Sequence, residues 1–189
     1  MDMDKKKITN IEVKKRNRNE IFRYICKHGI VSNPDISYNM KISLPTATQI
    51  TKELIAEGFL EEKGELQSTG GRRAKALSAV VNAKLAVGLD ITKNHITLVL
   101  TNIVGEILKY ERIHKPFAVG DAYYQEANER LELFIEESGA DRDKILGVGI
   151  SFPGIINMEK KLITYSHVLG IESIALDFIG GFFPTHVSF

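Results

Sequence analysis

Four side chains in the run SLPTATQITKELIAEGFLEE, residues 43–62, are of types suited to reading duplex DNA. Thr46, Thr48, Gln49 and Lys52 offer two hydroxyls, a carboxamide and an ammonium on one side of an expected helix, whose other side carries Ala47, Ile50, Leu54 and Ile55. Thr51 is assigned to the polar side as well. Short hydroxyls and an amide approach base edges in a major groove without clashing, and a recognition helix presents its N-terminal residues to the bases. A helix facing only water is more often filled with Glu and Lys. Spacing alone does not divide these residues between base and phosphate contacts. A basic element follows closely: in STGGRRAKAL, Gly70 and Gly71 tolerate positive φ and allow a tight tip, from which Arg72 and Arg73 project toward phosphates or into a narrow minor groove.

These groups need elements to hold them. Ser43 is placed to cap the Thr/Gln-rich helix, with Pro45 in its first turn, where no amide is needed, and Gly58 at its end. Before it, Ser32 caps a short helix over NPDISYNMK, with Ile36 and Met40 on one face. A first helix runs through EVKKRNRNEIFRYICKHG, with Val13, Tyr24, Ile21 and Ile25 at helical spacing and Gly29 as its stop. Its polar side, with Lys14, Lys15, Arg16 and Arg18, either meets a sugar-phosphate backbone or is an ordinary solvated face. After the third helix, a strand beginning at Phe59 and Leu60 returns as AKALSAV, closing a wing around the arginine tip. Three helices and a hairpin in this order read as a winged helix-turn-helix.

Charge divides the chain at the same place. Residues 1–80 hold 15 Lys plus Arg against 10 Asp plus Glu, whereas residues 81–189 hold 10 against 14. The basic part is drawn to phosphates and the acidic part repelled by them. Two domains, 1–80 and 81–189, are expected. Cys26 is the only cysteine, so an intrachain disulfide and a thiolate metal cluster are excluded, and its apolar helical context makes it a buried structural thiol. No segment approaches 18 apolar residues and no apolar stretch follows the charged start, so the expectation is a cytoplasmic protein with no membrane association.

Residues 81–189 read as mixed α/β. KLAVGLDI, HITLVLTN and EILKYERI form three strands with short turns, DAYYQEANERLELFIEESG an amphipathic helix with Ala127, Leu131, Phe134 and Ile135 inward, and ILGVGISFPG a buried strand ending in a glycine turn. Asp90 and Gly154, at the ends of two of these strands, are open to two readings: positions around a nucleotide or sugar, or plain turn chemistry. LDITKNH contains no glycine, so it is poorly made to cradle phosphate, and neither a P-loop nor a dinucleotide fingerprint is present. His28, His95, His114, His167 and His186 lack metal-ligand spacing; His167, in YSHVLG, is the most suggestive, with a structural role the stronger expectation. No catalytic residue, metal or cofactor is assigned.

Taken together, VKKRNRNEIFRYI, SLPTATQITKELIAEGFLEE, STGGRRAKAL, VGLDITKNHITLVLTNIVGEIL and GVGISFPGIIN resemble the ROK family of bacterial transcriptional repressors and sugar kinases, over about residues 10–175. The resemblance implies an α+β chain: a winged helix-turn-helix followed by the first part of an actin-like, ribonuclease H-like α/β domain. It also implies a repressor of carbohydrate-utilisation genes that binds double-stranded DNA as a homodimer or higher homo-oligomer and answers to a sugar or sugar-phosphate effector. Ser151 to Gly154, SFPG, match the family's sugar-proximal turn, which makes Asp90, Ser151 and Gly154 the ligand-proximal candidates. Family kinases follow the aspartate with glycines, whereas Ile91, Thr92, Lys93 and Asn94 follow Asp90. The sequence stops at Phe189, before the family's Asn-Asp pair, zinc motif and second lobe, and the tail IGGFFPTHVSF is expected to leave the helix-then-strand pattern, as a truncated chain would. The alternatives are a non-sensing subunit paired with an intact paralogue, and a sugar kinase fragment.

Overall fold

The computed structural model describes residues 10–66, 74–183 and 187–188. The chain divides into two compact units, Met1–Val81 and Asn82–Phe189.

In the N-terminal unit, helix α1 (Asn10–His28) is followed by α2 (Asn33–Met40), α3 (Leu44–Ala56) and an antiparallel pair of strands, β1 (Leu60–Glu65) and β2 (Lys75–Ala79). The chain leaves α1 through Gly29 in a left-handed conformation, φ +76°. Ser32 then caps α2 in a capping box: its Oγ accepts the Asp35 amide at 3.3 Å while the Asp35 carboxylate accepts the Ser32 amide at 2.9 Å. Lys41 ends α2 with φ +54°, so a side-chain-bearing residue occupies the left-handed corner between the two helices. Ile21, Ile25, Ile36, Ala47, Ile50, Leu54, Leu60 and Leu77 form the core of this unit. Val13 does not join them; it is 44% exposed, because the buried stripe of α1 begins only at Ile21. Val31 exchanges two backbone hydrogen bonds with Leu77, at 3.0 and 2.8 Å, adding a one-residue third strand beside the wing.

The C-terminal unit is built on a five-stranded sheet. Strands β3 (Leu85–Ile91), β4 (His95–Asn102) and β5 (Ile107–His114) form an antiparallel meander, helix α4 (Asp121–Glu137) crosses over, and β6 (Ile145–Ser151) returns parallel to β3. The strict alternation of β4, every second residue buried, puts Ile96, Leu98 and Leu100 against α4. Leu131, Phe134 and Ile135 of α4 complete that core. A second, three-stranded antiparallel sheet follows, β7 (Ile155–Asn157), β8 (Leu162–Tyr165) and β9 (Ile174–Ala175), then α5 (Leu176–Gly180) and β10 (Val187–Ser188), which lies parallel to β6 in sheet order β10-β6-β3-β4-β5. The tail therefore keeps a short helix-then-strand pattern, contrary to the expectation for IGGFFPTHVSF. Its aromatic residues explain why: Phe183 is buried and Phe182 stacks on Tyr124 of α4 at 5.4 Å. No helix among the described residues is long and apolar enough to cross a membrane.

Candidate nucleic-acid interface

Helix α3 turns its apolar stripe inward and leaves a polar face outward. Ala47, Ile50 and Leu54 are buried, while Gln49 and Lys52 are exposed and Thr48 is half-buried. With Leu44 and Pro45, these three line a shallow concavity along the outer face. Thr46 is placed differently: Ser43 caps α3 by accepting the Thr46 amide at 3.2 Å, and the two hydroxyls lie 2.7 Å apart, so Thr46 is part of the cap. Thr51 is a correction. It is buried, not on the polar side, and its Oγ1 donates to Asn33 Oδ1 at 2.9 Å, tying α3 to the start of α2. One hundred degrees per residue carries position 51 from the outer face to the edge of the stripe beside Ala47 and Leu54, where a β-branched hydroxyl fits if it has a partner.

The cations of α1 are also differently used. Lys14 pairs with Glu53 at 2.8 Å, Arg18 holds both carboxylate oxygens of Glu57 at 2.8 and 2.5 Å, and Arg16 pairs with Glu20 in its own helix. Three of the four basic groups on that face thus neutralise carboxylates, one on α3 and one at its C-terminal cap, instead of standing free for a phosphate backbone. The Lys14 ammonium holds the Glu53 carboxyl below the usual carboxylate range, with smaller help from Gln49 and Arg18 and against a partial desolvation. Gln49 Nε2 donates to Glu53 Oε1 at 3.2 Å. Among the described residues Lys15, Arg23, Lys27, Lys41 and Lys52 have no carboxylate partner. The wing strands are ion-paired as well, through Lys75–Glu62 and Lys63–Glu61. Gly70, Gly71, Arg72 and Arg73 lie outside the described residues. Cys26 is half-buried, not fully buried as expected, because it lies beside the apolar stripe of α1 and not on it, and partial burial pushes its thiol up.

Sequence reasoning missed two contributors here. Glu53 was legible as a partner of Gln49 from the i, i+4 spacing. Val31 gave a weaker signal, two β-branched residues between a helix stop and a helix cap, too short for any period to show.

In the C-terminal unit, two of the three ligand-proximal candidates come together. The parallel register of β3 and β6 sets Asp90 beside Ser151, and the antiparallel register of β3 and β4 sets Thr97 on the other side of Asp90, all on the sheet face away from α4. Gly154 serves packing: a Cβ there would lie 2.9 Å from the Tyr165 carbonyl oxygen and 3.1 Å from Ser166 Cβ. The turn after Asp90 is a tight hairpin in which the Thr92 amide donates to the His95 carbonyl at 2.9 Å and the His95 amide to Thr92 Oγ1 at 3.2 Å. Those amides are spent within the turn, as the absence of glycine implies. His95 faces His114 across the strands, and partial burial, then Arg112 and His114, push it below the ordinary imidazole value. His167 is exposed, its Nδ1 3.4 Å from the Tyr165 hydroxyl, and His186 lies outside the described residues. Among the described residues no three His, Cys, Asp or Glu side chains stand together as a metal-binding set.

Residues 86–178 match the ROK family. A candidate xylose repressor of Caldicellulosiruptor sp. (strain Rt8B.4) is 36% identical over 148 residues, which is 76% of this chain and 36% of that protein. The DNA-binding transcriptional dual regulator NagC of Escherichia coli K12 is 23% identical over 170 residues, 89% of this chain and 42% of that protein. The chain thus spans well under half the length of these curated relatives. The crystal structure of a ROK family transcriptional regulator, a homologue of the E. coli MLC protein, superposes with a TM-score of 0.69 at 20% identity, over 93% of this chain and 45% of that one. A helical N-terminal region followed by a mixed α/β sheet is the fold the two share.

Proposed function

We propose that this chain, which matches the ROK family over residues 86–178 and is similar to a candidate xylose repressor over 148 residues, is a sequence-specific DNA-binding transcriptional regulator, a repressor of carbohydrate-utilisation genes. The observation that carries this reading is the outer face of α3, where Thr48, Gln49 and Lys52 stand exposed or half-exposed above a fully buried inner stripe on a capped helix. A face of that composition suits a major groove, and two copies in a homodimer or higher homo-oligomer would enter successive grooves about one helical turn apart. Arg72 and Arg73 of the basic tip are assigned phosphate contacts, together with the exposed Lys52 of α3.

A sugar or sugar-phosphate effector belongs to the C-terminal unit, on the side where Asp90 and Ser151 stand together. Phosphoryl transfer is not part of the proposal. It needs a phosphate cradle of unpaired amides after Asp90, and the Thr92 and His95 amides are already bonded within their hairpin.

The test is operator binding as a function of salt for the parent chain and for R72A/R73A. Loss of two phosphate contacts per subunit lowers the slope of log affinity against log salt by about 1.8 per subunit, or about 3.6 for a dimer, at about 0.9 per contact. Unchanged affinity and slope would remove the arginine tip from the interface. Repeating the titration with a panel of sugars separates a sensing repressor, which releases DNA, from a subunit that binds DNA and senses nothing.

A further inference from the structure

We propose that Gln49 reads an adenine in the major groove, with its carboxamide held in the reading orientation by Glu53. The inference rests on the DNA-binding proposal and adds to it which base is read and what fixes the reader.

The Glu53 carboxylate oxygen Oε1 accepts both Lys14 Nζ at 2.8 Å and Gln49 Nε2 at 3.2 Å. A carboxylate only accepts hydrogen bonds. Reversing the Gln49 amide would therefore set two oxygens against each other where a donor and an acceptor now meet. Lys14 keeps Glu53 ionised and so keeps this preference in force. One N–H of Gln49 is committed to Glu53; the second N–H and the carbonyl oxygen have no partner among the described residues and belong to an exposed side chain beside Thr48 and Lys52.

What remains is an acceptor and a donor side by side on one planar group. In the major groove adenine offers the complement, an N6 amino donor next to the N7 acceptor. Guanine presents two acceptors, cytosine one donor, and thymine one acceptor and a methyl group, so each leaves part of the amide unmatched. Glu53 is thus a positioning residue, removing the rotational freedom that an exposed glutamine otherwise has. Lys14 has a separate consequence: it neutralises a carboxylate on the very helix that approaches a polyanion, instead of touching phosphate itself.

The experiment is selection from a pool of randomised duplexes by the full chain and by Q49A, E53A and E53L. The parent is expected to enrich adenine at one position of each half-site on the order of tenfold over other bases. Q49A loses that enrichment. E53A and E53L, which have no acceptor, still select the rest of the site while enrichment at this position falls to about twofold or less, because the carboxamide is free to turn over. E53L keeps comparable bulk and helix propensity, so its result stands even if E53A folds poorly. Parent-like adenine enrichment in E53L overturns the role of Glu53, and a parent preference for another base, or one that survives Q49A, overturns the reading of adenine; either leaves DNA binding standing. A parent that retains no duplex overturns both proposals.

Discussion

In the N-terminal unit the buried hydroxyl of Thr51 donates to Asn33 at 2.9 Å and that of Ser32 to the Asp35 carboxylate at 2.5 Å, whereas in the C-terminal unit the buried phenols of Tyr123 and Tyr124 meet no partner among the described residues. The difference follows from what each core can do alone. In the N-terminal unit three helices pack around a few aliphatic side chains, the Thr51–Asn33 bond ties α3 to the start of α2, and Lys14–Glu53 ties α1 to α3. In the C-terminal unit strand register fixes the geometry, and the tyrosines contribute apolar area: Tyr124 stacks on Phe182 and meets Tyr123 edge-on at 5.6 Å. The buried Ser166 and Asn102 of the C-terminal unit are paired at turns, so the leftover hydroxyls are those of the two tyrosines of α4, where aromatic packing sets the geometry.

The sharpest break of this contrast is at the SFPG turn, where the Ser166 hydroxyl donates to the Pro153 carbonyl and the backbone at Gly154 is closely packed. G154A places a methyl group 2.9 Å from a backbone carbonyl and 3.1 Å from Ser166 Cβ, and neither neighbour can swing away as a long side chain would. A loss of about 1–3 kcal/mol is expected from the C-terminal unit, read as a lower midpoint in chemical denaturation. A parent-like midpoint would mean that the turn has room for a side chain at this position.

A smaller effect separates two threonines on one helix. T51V keeps the shape but removes the donor to Asn33, at a cost of about 1 kcal/mol, and leaves the selected DNA sequence unchanged. T48V, on the outer face, is expected to change stability by less than about 0.5 kcal/mol while altering the relative preference among operators. The opposite pattern, with T51V shifting operator preference and T48V unfolding the unit, would exchange the faces of α3.

Those two residues also show how far sequence reaches. Helical period placed Ala47, Ile50 and Leu54 inside and Gln49 and Lys52 outside, since each lies well within its half of the helix. Thr51 sits at the boundary, where residue type argues for solvent and angle allows burial; only the partner on α2 decides, and that partner is 18 residues away. A still longer separation, 39 residues, hid Lys14–Glu53 and Arg18–Glu57, pairs that settle cations on a face whose role spacing left open. Strand alternation and turn spacing made the β3–β4–β5 meander and α4 legible, because their contacts are local. The juxtaposition of Asp90 with Ser151 was not, since a parallel register across a helical crossover leaves no mark on spacing. The closing elements α5 and β10 were missed because aromatic packing on Tyr124 has no period.

The mildest prediction concerns that tyrosine. Tyr124 is fully buried, among Phe117, Tyr123, Phe178 and Phe182, and burial pushes its phenol above the ordinary value, so it is neutral throughout the working pH range. A buried hydroxyl with no partner carries its desolvation cost without a compensating bond, and removing it returns that cost. Y124F is therefore expected to leave the midpoint unchanged or to stabilise the unit by up to about 1 kcal/mol, with an unchanged denaturant slope. T51V removes an equally buried hydroxyl and is expected to move the midpoint the other way. If Y124F instead costs as much as T51V, the phenol is bonded, and Tyr124 contributes more than apolar area to its core.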